Sequence, residues 1–241
     1  LVIIRLKAIN RMKLRSLWPG LLVLVLFVAA CAPVPELRND KYLHDDSLIT
    51  GEPCAAPCWR GITPGETAWS DALIILEDDA TLDDPQTQSM EDSEAVAAQW
   101  QEHDGELCCQ MLSEDGQTVS VIFLQIAPGS TLGELLEAQG EPTYAIGTPI
   151  SDEQAVVYLL YPEKSLMVFA FAAGAENGGL SASSEIVGAW YLTPDAMDLA
   201  LKTNSLHTWE GYSDFAAYSA DADASQFEVT PSVTLTPTPE G

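Results

Sequence analysis

Ile62-Thr63-Pro64-Gly65-Glu66-Thr67 and Ile126-Ala127-Pro128-Gly129-Ser130-Thr131 are one phrase written twice, 64 residues apart. Each has an apolar residue, a Pro-Gly turn and a threonine whose hydroxyl can accept an N–H at a helix start. After the first copy, Trp69, Ala72, Leu73, Leu76 and Ala80 recur at the spacing of one helical face. After the second, Thr131 and Glu134 fit a capping box, and Leu132, Leu135 and Leu136 form the apolar stripe. Gly140 can stop that helix, and Pro142 follows it.

Alternating stretches follow each helix. The first set covers residues 94–101, 106–112 and 118–124, with Asp104-Gly105 and Asp115-Gly116 as hairpin turns. The second covers 143–146, 155–161, 166–172 and 185–192. Thr193-Pro194-Asp195 then opens a short helix through Lys202, with Pro at its first position. The expected fold is α+β, two tandem repeats of a helix followed by an antiparallel meander. The repeats span 52–126 and 127–219. Residues 31–51, with Pro33 and Pro35, read as a tether. Residues 220–241 are polar and then Thr/Pro-rich, and read as a disordered tail.

The N-terminal stretch is of another kind. Arg5, Lys7, Arg11, Lys13 and Arg15 precede the apolar run Leu21-Leu22-Val23-Leu24-Val25-Leu26-Phe27-Val28-Ala29-Ala30. The pattern is a signal peptide over 1–30, and the run is shorter than the ~20 residues a membrane span needs. Met12 could itself open a normal signal. Val28-Ala29-Ala30-Cys31 resembles the bacterial lipobox. That resemblance implies that Cys31 is lipidated and becomes the first mature residue. The expected location is extracytoplasmic, anchored to the cell membrane or envelope through that lipid.

All 36 acids but only five of the ten cations follow Cys31, so the mature part carries a net charge of −31. Such a charge repels nucleic acid and anionic headgroups, and disfavours both as partners. Cys54, Cys58, Cys108 and Cys109 are disulfide candidates in an oxidising compartment. Four cysteines allow three pairings. A Cys108–Cys109 bridge is the one strand alternation disfavours, so bridges from the 54/58 loop to the 108/109 strand are expected. Cys54 and Cys58 are spaced too widely for a Cys-x-x-Cys redox motif, which favours a structural disulfide.

Catalytic motifs are lacking. There is no Gly-x-Ser-x-Gly elbow, and His44, His103 and His207 have no metal-ligand spacing. A non-enzymatic role is expected. Glu77-Asp78-Asp79, Asp83-Asp84 and Glu91-Asp92 fall in an expected loop over 77–92. Asp78, Asp79, Asp83 and Asp84 are candidate ligands for Ca²⁺, the one cofactor considered, and a solvated charged loop is the simpler reading. Trp209 and Tyr212, after the last helix, either staple the C-terminus or present an aromatic pair to a partner.

Pro-Gly-x-Thr, an amphipathic helix and Gly-Glu-Pro resemble the SmpA/BamE lipoprotein domain and the related β-lactamase inhibitor proteins. Gly129, Thr131, Leu135, Gly140 and Pro142 carry the match; the first copy has Glu77-Asp78-Asp79 where Gly-x-Pro would stand. The resemblance implies a non-catalytic module that binds an envelope protein or supports an assembly through its sheet face. The alternative is a cation- or small-ligand-binding lipoprotein using loop 77–92.

Overall fold

The computed structural model describes residues 37–89, 93–174 and 178–219. Nine strands form one antiparallel sheet: β1 (Gln86–Ser89), β2 (Val96–Trp100), β3 (Cys109–Ser113), β4 (Val121–Gln125), β5 (Tyr144–Ser151), β6 (Gln154–Tyr161), β7 (Leu166–Ala173), β8 (Ile186–Leu192) and β9 (His207–Thr208). Their order is β1-β2-β3-β4-β8-β7-β6-β5-β9. The helices are short: α1 (Ser47–Thr50), α2 (Trp69–Glu77), α3 (Leu132–Gln139) and α4 (Pro194–Thr203).

This corrects the expected α+β pair of repeats. The molecule is β-rich, and its two meanders are not separate sheets. β4 pairs with β8, from Val121 opposite Leu192 to Gln125 opposite Gly188. Each meander alone would leave its last strand with unpaired N–H and C=O groups, and joining the two edges satisfies both sets.

β2, β3 and β4 alternate because one face of them meets the core. Ala98, Trp100, Met111, Ile122 and Leu124 point in, while Gln99, Gln110 and Phe123 point the other way. β6 and β7 read as nearly continuous apolar runs and are buried on both faces. The main core stacks Trp59 on Trp100, with ring centroids 5.8 Å apart. Leu76 of α2 and Leu132 and Leu135 of α3 lie in that core, as their stripes predict. A smaller cluster, Val156, Leu160, Met167, Phe169 and Val187, lies apart from it, with Leu37, Ala200, Leu201 and Leu206 packed against it.

The helix starts differ in detail. Thr131 is an N-cap, and its capping box with Glu134 is complete. Thr67 is not. Ala68 is the N-cap residue of α2 and makes no side-chain cap bond, and the Thr67 hydroxyl accepts the Thr63 N–H at 2.8 Å, closing the Pro-Gly turn instead. Thr193 caps α4 by accepting the Ala196 N–H, with Pro194 next to it.

Two further readings need correction. From residue 37 the expected tether belongs to the domain. Leu43 is fully buried, donates its N–H to the Gln125 carbonyl and accepts the Ala127 N–H, and Leu48 is buried beside it. Isolated apolar residues without periodicity gave no sign of this. The expected loop 77–92 contains β1, whose Gln-Thr-Gln-Ser lacks the apolar alternation that marks a half-buried strand.

Candidate functional site

None of the nine strands contains Asp, Glu, Lys or Arg. In a chain with 36 acids this segregates charge to helices and loops and leaves an uncharged sheet. One face of β2–β4 packs on the main core. The other is open, and the strand register defines its contents. Gln86 lies opposite Gln99, Gln99 opposite Gln110, Gln110 opposite Phe123, and Phe123 opposite Trp190. Directly paired residues share a face, so these five form a row of about 19 Å at the usual strand spacing. Gln86, Gln99 and Gln110 are exposed, Phe123 is half-buried, and Trp190 is 37% exposed.

The aromatic end is a packed set of rings. Trp190 meets Phe123 and Phe169 edge-on, at 6.0 and 5.7 Å between centroids. Phe169 meets Tyr158 edge-on at 4.9 Å. Such pairs add about 0.5–1.5 kcal/mol beyond area burial and hold the rings in place. Gly188, opposite Phe169, makes the arrangement possible: a Cβ there would lie 2.8 Å from the Phe169 ring and 2.6 Å from the Leu124 carbonyl. The result is an aromatic cluster in which Phe169 is buried, Phe123 and Tyr158 are half-buried and Trp190 reaches the surface, continued by amides that can both donate and accept. These residues were missed in the sequence. The available signal was partial: the expected strands carry no charge in their interiors, although those at 94–101, 106–112 and 185–192 each begin with Glu.

The residues singled out by sequence are placed elsewhere. Cys31 lies outside the described residues. Cys54 is paired with Cys58 and Cys108 with Cys109, so the expected loop-to-strand bridges are not formed. Cys108 stands one residue before β3, outside the alternation that governs strand residues, and both Cys108 and Cys109 are buried. The acids of 77–92 do not converge. Asp78 caps α2. Asp79 accepts from Thr81 and pairs with Arg60; Asp83 accepts from Gln101 and pairs with His103. Asp84 is exposed before β1, and Glu91 and Asp92 lie outside the described residues. Among the described residues no three His, Cys, Asp or Glu groups are arranged to hold a metal ion. Trp209 is buried and stacks on Tyr218 at 5.6 Å, whose hydroxyl donates to the Gly211 carbonyl. It staples the C-terminal segment, while Tyr212 is 49% exposed.

A cleft of about 580 Å³ lies between α1 and the start of α3, lined by His44, Asp45, Asp46, Thr50, Ser130 and Glu134 among others. Several of its polar groups are already engaged. Asp45 accepts from Ser47 and from the Trp59 indole at 3.0 Å, His44 contacts Glu102 at 2.6 Å, and Glu134 closes the α3 cap. These bonds account for the residues structurally. The comparisons with known proteins add nothing to this geometry: no family model, curated protein or solved structure matches the chain.

Proposed function

We propose that the chain is a lipid-anchored cell-envelope protein whose domain binds another envelope protein without catalysis, using the open sheet face. The face carries the reading. An uncharged strip of aromatic and amide side chains, on a mature chain of net charge −31, has the composition of an interface centre, where charge is depleted and aromatics are enriched. The anchor is supported by the cationic N-terminus, the short apolar run and Val28-Ala29-Ala30-Cys31. The resemblance to SmpA/BamE-type modules favours the same class of role.

The test pairs crosslinking in the native envelope with one substitution. Trp190→Ala should weaken capture of the partner by about 2 kcal/mol, roughly thirtyfold, as truncation of a central aromatic anchor does. Tyr212→Ala should leave it unchanged. Mass spectrometry of the envelope protein should find an acylated Cys31 at the N-terminus. Equal capture by Trp190→Ala would remove the face from the proposal, and an unmodified mature N-terminus would remove the anchor.

A further inference from the structure

Cys108 breaks the ladder it leads into. In a regular antiparallel pairing a residue's N–H and C=O point to the same neighbour. Those of Cys108 point to opposite neighbours. Its N–H reaches the Trp100 carbonyl of β2 at 3.5 Å, and its own carbonyl accepts the Gln125 N–H of β4 at 2.9 Å. Trp100 is already the partner of Cys109. Two successive residues thus share one partner, as in a β-bulge. The extra residue suspends the alternation of side chains, and both sulfurs lie on the core side, where Cys108 is 1% and Cys109 0% exposed.

The disulfide holds that bulge. Adjacent residues can be bridged only when both sulfurs lie on one side, so the Cys108–Cys109 bond and a regular strand at residue 108 exclude each other. As a staple the bond does little, because a loop between adjacent residues restricts the unfolded chain least. The registers on either side show where residue 108 belongs without it. The β2–β3 pairing continued by one residue sets Cys108 opposite Gln101, and the β3–β4 pairing sets it opposite Gln125. That position faces the open side of the sheet, beside the half-buried Gln101 and Gln125. The Gln125 carbonyl accepts the Leu43 N–H at 3.2 Å and has a second lone pair for the Cys108 N–H.

We propose that Cys108–Cys109 is a thiol–disulfide switch, reduced by a dithiol, that adds or withdraws a thiol on the open sheet face. The strand end opens locally, since the Cys108 N–H is held there by a long bond. A thiolate of the reductant attacks the Cys108 sulfur, the S–S bond breaks, and Cys109 leaves as a thiolate that takes a proton. The reductant's second thiolate then attacks its own mixed sulfur. Cys108 leaves, takes the other proton, and the reductant departs as a disulfide. Two electrons and two protons have moved. Cys108 rejoins the ladder and faces outward, while Cys109 stays in the core opposite Trp100. The switch does not depend on the face being a contact surface.

The test uses the full chain in detergent, dithiothreitol as the dithiol and N-ethylmaleimide as the label, read at each cysteine by mass spectrometry. The untreated chain should show Cys108 linked to Cys109 and no label on either. After reduction under native conditions, Cys108 should label roughly tenfold faster than Cys109. Cys109→Ser should present the same reactive Cys108 without any reductant. Cys108→Ser should leave Cys109 unlabelled until urea unfolds the chain. Trp190→Ala should change none of this, which separates the switch from partner binding by the face. Linkage of Cys108 or Cys109 to another cysteine, or equal labelling of the two, would overturn the proposal. A fall in melting temperature on reduction, with Cys108 still unlabelled in the folded chain, would overturn it too and make the bridge a staple.

Discussion

Arg60 joins parts of the chain that are distant in sequence. Its guanidinium pairs with Asp79, donates to Thr81 at 3.0 Å, lies 3.8 Å from Asp45 and sits 5.1 Å above the Trp59 ring. Burial pushes the Asp79 carboxyl up, but hydrogen bonds from Thr81 and the Arg60 charge outweigh it, and its pKa lies below the usual aspartate range. A carboxylate with a lowered folded pKa stabilises the native state above its unfolded pKa. That contribution is lost as pH falls through the folded value. Asp79→Asn should therefore lower stability near neutral pH and flatten its decline from pH 5 to pH 3, measured by urea unfolding at each pH. Sequence placed Asp79 among calcium candidates because neighbouring acids were all it displayed. Arg60, 19 residues away, could be assigned to it only after folding. Cys108 was misread for a related reason: whether it lay inside a strand or one residue before it decided which way the thiol pointed.

The two Pro-Gly phrases each lead into a helix, but their threonines are used differently. Thr131→Ala should cost about 1 kcal/mol through loss of the cap. Leu135→Ala should cost more, about 2–5 kcal/mol, because Leu135 is fully buried and its removal leaves a cavity. Chemical denaturation of both variants gives the comparison; equal costs would show that the stripe of α3 is not held in the core. Strands were legible where one face is apolar. β6, β7 and β8 lie within a residue or two of where alternation and apolar runs put them. β1 was illegible because its stabilisation comes from backbone pairing with β2 rather than from burial. α2 begins one residue late because the Thr67 hydroxyl is used to close the turn before it.

Across the whole molecule, the β4–β8 pairing makes the halves depend on each other. Fragments split between 126 and 127 should not fold separately, since each would expose a long apolar edge. The intact domain should unfold in one transition, with tryptophan fluorescence and far-UV circular dichroism coincident. Separate transitions would indicate two independent units. This seam could not be read from sequence, because a meander's pattern reports its own strands and not which edge meets another sheet. Charge segregation has a consequence during synthesis. Before the sheet closes, the strand segments are apolar or amide-rich stretches without internal charge, the type that stacks between chains. The intervening acids act as gatekeepers, keeping one unfolded chain away from the next. Near the sequence pI of about 4.1 that repulsion is cancelled. Refolding near that pH should then yield aggregate where refolding at neutral pH yields folded chains, as light scattering would show.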